Sequence, residues 1–225
     1  MGETLIPMTS LTRILFVRHG HVHNPNQIIY GRLPGFRLSD MGEQQARMAA
    51  LALRDVPVAA IFTSPLLRAQ QTADIIRAEL PHVPLHPAEL LMEIHIEMEG
   101  QPLAVAEACN WDFYTYARPG YEQPADVLAR IQAFIAEIRQ TYAGQTIVAV
   151  SHGDALAFTT LWAVGQALLP LHKHALDRLA GFADAYPQPA SIIMLGFTPA
   201  DELPAEISYL RPYGPELVYS VGAPR

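Results

Sequence analysis

The chain predicts an α/β fold, an open and mostly parallel sheet with helices on both faces. Three observations carry this. Short apolar runs with β-branched members occupy residues 14–17, 58–62 and 146–150, and such continuous runs suit strands covered on both sides. Each run is followed by turn signals and then by a segment with helical spacing. Two of the runs break off into the same pair, His19-Gly20 and His152-Gly153. In an open α/β sheet ligands bind beyond the carboxyl ends of the strands, so these pairs mark a candidate site.

Taken in order, the first strand ends in Arg18-His19-Gly20-His21-Val22-His23-Asn24. Residues 25–36 form a Pro- and Gly-rich loop with Tyr30 and Arg32, of the kind that shapes a pocket. Ser39 and Asp40 are placed to cap a helix reaching about Arg54, with Gln44, Gln45 and Arg47 outward and Ala46, Ala50, Leu51 and Leu53 inward. After the second strand, Ser64 suits an N-cap and Pro65 the first helical position. That helix would open at the same sheet edge, with Arg68 about one turn in; the plain alternative for Arg68 is a surface helix arginine.

Residues 90–100 alternate apolar and polar, which predicts an extended segment with Glu93, His95, Glu97 and Glu99 on one face. Crowded carboxylates repel, and one with a raised pKa would serve as a general acid. Residues 109–121 are aromatic-rich and read as a short lid or core wrap. Pro124 starts a helix to about Tyr142, and another runs from Asp154 to about Leu168. An amphipathic helix is expected near 170–186, closing strands at 191–197 and 206–210, and a loose tail from 213. The expected organisation is a leader (1–11), one domain (12–212) with its lid at about 95–121, and a tail (213–225).

Composition excludes several classes. Half the residues are apolar and 16% are charged, with a formal net charge of −7, so there is no basic stripe for nucleic acid. No apolar run approaches the ~18 residues of a membrane span. The lone Cys109 and the absence of a basic or apolar leader point to a cytoplasmic protein. Fourteen arginines stand against one lysine, Lys173. Lysine-based covalent chemistry is thereby disfavoured, and each arginine is a candidate anion clamp.

Arg18, His19, Arg68 and His152 therefore form a set of planar donors suited to a phosphate, with an imidazole available as nucleophile. Other phosphate chemistries leave marks that this sequence lacks: there is no Gly-rich loop ending in Gly-Lys-Ser/Thr, and Thr115 stands where an arginine would follow Cys109. The rival is a metal held by the alternating His19, His21 and His23. No carboxylate sits among them and Arg18 would repel a cation.

In order and position, Arg18-His19-Gly20, Ser64-Pro-Leu-Leu-Arg68-Ala-Gln-Gln-Thr72, the Leu-x-Glu at 91–93 and Val-Ser-His152-Gly153 resemble the histidine phosphatase superfamily, in the branch of the cofactor-dependent phosphoglycerate mutases. The likeness covers about residues 12–165. It implies a phosphoglycerate mutase-like three-layer α/β/α sandwich and a phosphohistidine at His19. It also implies a phosphoryl grip by Arg18, Arg68 and His152, and Glu93 as proton donor. Asn24, Arg32 and Gly153 fall at positions expected to line the pocket. No cofactor, metal, nucleic acid or membrane partner is expected; the partner is a small phosphorylated substrate, and a homodimer is allowed. Three departures stand out: His21 replaces the usual Glu or Gln, Asn24 falls one residue early, and the Gly with an aromatic usual after the acid is absent. A short 93–121 segment whose only cation is Arg118 favours hydrolysis of a phosphomonoester, with mutase chemistry or an idle phosphate-binding protein as the alternatives.

Overall fold

The computed structural model describes residues 11–218; all but the last residue of the expected leader, and the end of the expected tail, lie outside them. The chain runs β1 (Thr12–Arg18), α1 (Asp40–Leu53), β2 (Val58–Thr63), α2 (Leu67–Glu79), β3 (Leu85–Pro87), α3 (Leu103–Ala108), α4 (Pro124–Thr141), β4 (Thr146–Ser151), α5 (Gly153–Ala163), β5 (Ile192–Phe197) and β6 (Glu206–Leu210). The six strands form one sheet in the order β3-β2-β4-β1-β5-β6. β1, β2, β3 and β4 are mutually parallel and β5 runs against them.

Strand alternation divides the core in two. Ile14 and Phe16 face the α4 and α5 layer, while Leu15 and Val17 face α1 and α2. Burying such a side chain fully contributes about 1.5–3 kcal/mol. β1 and β4 therefore sit at the dry centre, in register from Arg13–Thr146 to Arg18–Ser151. Their carboxyl ends release His19 and His152 side by side. This is the three-layer α/β/α sandwich that the sequence predicts.

Several elements depart from expectation, each for a local reason. On α1, Gln45 is buried because its amide accepts from His21 N and donates to the Leu217 carbonyl, whereas Leu51 is exposed. α2 begins at Leu67, not at Pro65, and Leu66 stands at the N-cap in place of Ser64, whose hydroxyl is engaged by His152 and lies 3.4 Å from Leu66 N. α5 ends at Ala163, where Gly165 takes a left-handed conformation (φ +70) that closes the helix. Residues 90–100 are not an extended strand: a 3-10 turn (Glu89–Leu91) leads into irregular backbone.

The expected helix near 170–186 is instead two 3-10 turns, Pro170–His174 and Leu176–Arg178. Lys173 is drawn inward to Asp154, and Leu176 N bonds the Ala185 carbonyl, so tertiary contacts override helical periodicity. The expected tail is anchored at its start, since the Tyr213 hydroxyl donates to the Pro189 carbonyl and Leu217 meets α1. The short helix α3 and the edge strand β3 had no sequence signal of their own. Among the described residues no helix is long and apolar enough to cross a membrane.

Candidate active site

The Arg18-His19-Gly20 turn is pinned from three sides. His19 N donates to the Ser151 carbonyl, Gly20 N to Thr72 Oγ1 at 3.1 Å, and His21 N to Gln45 Oε1. A side chain at Gly20 would collide with the Gly42 backbone, so this glycine is required for α1 to cross the turn closely. The expected alternation of three histidines ends with β1: His19 is buried, His21 bonds Ser39 Oγ, and His23 is exposed.

His19 is held in one tautomer. Its Nδ1 is 2.8 Å from the Gly20 carbonyl, which only accepts, so Nδ1 carries the proton. Nε2 keeps its lone pair and accepts from Arg68 Nε at 3.2 Å. Burial, then Arg68 and Arg18, push the His19 pKa well below its ordinary value, so the ring is neutral at pH 7. His152 is treated alike by burial and Arg68. Its Nδ1 accepts from Arg68 Nη2 at 3.3 Å, which leaves Nε2–H to donate to Ser64 Oγ at 2.7 Å.

Arg68 is 1% exposed and links these groups, its Nη2 also donating to the Gly31 carbonyl at 2.8 Å. Tyr30 lies under its guanidinium, 4.8 Å from carbon to ring centre. Glu93 Oε2 is 3.7 Å from Arg68 Nη2 and 3.6 Å from His152 Nδ1. Burial raises the Glu93 pKa against the pull of Arg68, with Asp154 adding to the rise. His19, Arg68, Glu93 and His152 are thus brought together.

Arg18 adjoins them. Its Nη1 donates to the Pro187 carbonyl, its guanidinium lies over Tyr186, and its Nε is buried with no partner. Gly153 opens α5, where a side chain would strike the Tyr186 hydroxyl. The other two expected pocket residues are engaged elsewhere. Asn24 brackets the backbone of Ile28 with both ends of its amide, and Arg32 bonds the Glu93 carbonyl and Glu122. The expected acidic face is dispersed: Glu97 pairs with Arg118, and Glu99 accepts from Arg32 N. Sequence reading missed Ser64 as the partner of His152, Tyr30 as the floor of Arg68, and the Asp154, Lys173, Tyr114 and Tyr186 cluster. Asp154, directly after His152-Gly153, and Ser64, directly after the second strand, were the available signal.

Among the described residues, His19, Glu93 and His152 form a group whose ligand atoms lie within 4.8 Å of one another. A divalent cation among them would face the Arg68 guanidinium, which already occupies both imidazole lone pairs. The donor set suits an anion: neutral imidazoles, a buried guanidinium and a carboxyl inclined to hold its proton. A depression of about 330 Å³ lined by Thr12, Arg139, Gly144 and Thr198 lies at the other end of β1 and β4 and contains none of these groups.

Comparison with known proteins agrees with this geometry. The model of the histidine phosphatase superfamily (branch 1) matches residues 14–182. Protein Rv0525 of Mycobacterium tuberculosis is 34% identical over 168 residues, covering 72% of this chain and 83% of that protein. The phosphatase PhoE of Bacillus subtilis is 30% identical over 148 residues, 65% of this chain and 74% of that one. The solved structure of YhfR from Bacillus stearothermophilus shares the fold with a TM-score of 0.67 at 24% identity, covering 85% of this chain and 97% of that chain.

Proposed function

Because the chain belongs to the histidine phosphatase superfamily, branch 1, we propose that it is a phosphomonoester hydrolase working through a phosphohistidine on His19, with a small phosphorylated metabolite as substrate. One observation carries the reading. The Nδ1–Gly20 bond leaves a neutral His19 Nε2 lone pair at the centre of a cationic cluster. In this reading Nε2 attacks phosphorus while the ester P–O bond breaks, and Glu93 gives its proton to the departing oxygen. Water then attacks phosphorus with Glu93 taking its proton, the N–P bond breaks to return the lone pair to His19 Nε2, and inorganic phosphate leaves. Arg18, Arg68 and His152 stabilise the charge on the transferring oxygens, and Ser64 fixes the ring of His152.

Hydrolysis is favoured over transfer to a second anionic substrate by the pairing of the nearby cations. Arg118 is bound by Glu97, and Arg32 and Arg130 share Glu122. Few cations remain to hold a second phosphate or a carboxylate. The phosphatase relative PhoE supports the same choice.

Rapid quench with a ³²P-labelled monoester tests this. The expected adduct is acid-labile and alkali-stable, is absent in His19→Ala, and forms equally in EDTA. Turnover without such an adduct would remove His19 as nucleophile. Loss of activity in EDTA with recovery in zinc would assign His19, Glu93 and His152 to a metal instead.

A further inference from the structure

We propose that Glu122 is a positioning residue for the proton donor: its carboxylate is the hub of an ion cluster that fixes the backbone on both sides of Glu93. The inference rests on the reading of Glu93 above. Glu122 lies two residues before α4. Its Oε2 accepts from Arg32 Nη2 and from His95 N, each at 2.7 Å, and its Oε1 accepts from Arg130 Nε at 2.8 Å. The two arginines pass the grip onward. Arg32 Nε donates to the Glu93 carbonyl at 2.7 Å, and Arg130 Nη1 to the Leu90 carbonyl at 2.8 Å.

Segment 90–95 is therefore held at Leu90, Glu93 and His95 by side-chain bonds that meet at one carboxylate, while Leu91 is tied separately, its carbonyl accepting from Ser151 Oγ. Glu122 N also donates to the His95 carbonyl. The segment needs such a device because residues 92–96 lie in neither a strand nor a helix. Without a ladder, the backbone has no regular structure to set the depth at which Glu93 enters the site. The cluster is also sheltered. The side chains of Glu122 and Arg130 are 18% and 14% exposed, so these bonds are weakly screened and geometrically fixed.

Glu122 touches no reacting atom in this arrangement. Its loss would let Arg32 and Arg130 repel and the 90–95 segment drift, moving the Glu93 carboxyl from the leaving oxygen. A misplacement of about 1 Å costs on the order of 10²-fold in rate. That cost falls only on reactions that need the proton.

The test compares wild type, Glu93→Gln, Glu122→Gln and the double variant on glycerol 2-phosphate, whose alkoxide leaves poorly, and on p-nitrophenyl phosphate, whose phenolate leaves readily. Glu122→Gln should lose about 10²-fold in kcat on the alkyl ester, keep most activity on the aryl ester, and add no further loss on top of Glu93→Gln. Equal loss on both substrates, or a full extra loss in the double variant, overturns the proposal. If Glu93→Gln is selective and Glu122→Gln is not, the positioning role fails while the donor stands. If Glu93→Gln itself lacks selectivity, the donor assignment fails and takes this inference with it. Should Glu122→Gln not fold, Arg32→Lys decides: it keeps a cation beside Glu122 but cannot also reach the Glu93 carbonyl, and it must show the same substrate selectivity.

Discussion

Arg68 Nε points at His19 Nε2 from 3.2 Å, so the guanidinium stands on the line along which the nucleophile would meet phosphorus. In the proposed mechanism, His19 therefore waits under a hydrogen bond that substrate must replace. The exchange is balanced, since Arg68 gives up a neutral acceptor and gains anionic oxygens. A lysine at this position would keep the charge but could not reach His19, Gly31 and His152 together. Arg68→Lys should reduce kcat/KM by about 10²-fold to 10³-fold, the usual cost of losing one aligned donor to a developing anion. Vanadate affinity should fall in parallel. Unchanged vanadate binding with a lowered kcat would show that Arg68 does not hold the phosphoryl group.

The two buried imidazoles make stability depend on acid in a defined direction. Burial and Arg68 depress the pKa of both His19 and His152 in the folded state. The unfolded chain takes up protons below about pH 6.5 while the folded chain does not, so stability falls as pH drops from about 6.5 towards the depressed values. The slope approaches about 1.4 kcal/mol per pH unit for each proton. Glu93 works the other way, because its raised folded pKa binds a proton earlier than the unfolded carboxyl does. Urea midpoints between pH 7.5 and 5.5 should therefore decline, and less steeply in His152→Asn. A flat profile in both proteins would mean that these rings protonate freely in the fold.

What could be read from the sequence was whatever depends on regular repetition. The strands that carry Arg18-His19 and His152 announce themselves as apolar β-branched runs, and a run of that kind has little choice but to lie in the dry middle of the sheet. The helix signals at Ser39 and Pro124 worked for a similar reason, as each supplies a local bond or a fixed φ. Residues 90–100 misled because alternation is informative only when a ladder enforces it. Among the described residues no strand pairs with this segment, and polar contacts set its path, sending Glu93, Glu97 and Glu99 to three different partners. Gln45 misled in another way: a polar residue on a patterned segment is assigned to water, although a specific buried partner can hold it inside, as Asp154 also holds Lys173. Such partners come from distant parts of the chain and leave no local mark.

Glu93 should impose a leaving-group signature on the pH profile. Its carboxyl is useful as an acid only while protonated, and burial extends that range upward. With an alkyl phosphate, kcat/KM should fall as pH rises through the raised pKa. With p-nitrophenyl phosphate the same limb should be shallow or missing, because the phenolate leaves without a proton. Glu93→Gln should cost about 10²-fold to 10⁴-fold on the alkyl ester alone. Identical limbs on both esters would point to a group that binds the phosphoryl oxygens.

The only lysine in the chain is buried beside the site, and its removal should be costly in a pH-dependent way. Lys173 Nζ lies 2.6 Å from Asp154 Oδ2 and 2.8 Å from the Trp111 carbonyl, over the rings of Phe113 and Tyr114. Asp154 also accepts from the hydroxyls of Tyr114 and Tyr186, and Tyr186 in turn lies under Arg18. Burial alone would raise the Asp154 pKa, but Lys173 and the two tyrosines hold it below the ordinary carboxylate range. Lys173→Met fills a similar volume yet leaves the carboxylate buried without its counter-charge, a change that costs about 3–5 kcal/mol. In wild type the lowered pKa means that Asp154 contributes stability above about pH 4, lost as pH falls through the depressed value. In the variant the sign reverses: the carboxyl is easiest to bury when protonated, and stability drops as pH rises through its raised pKa. The deficit measured by urea unfolding should therefore widen from pH 5 to pH 7.5, and Asp154→Asn in the same background should recover part of it at neutral pH. A small deficit that does not change with pH would mean that Lys173 contributes packing alone.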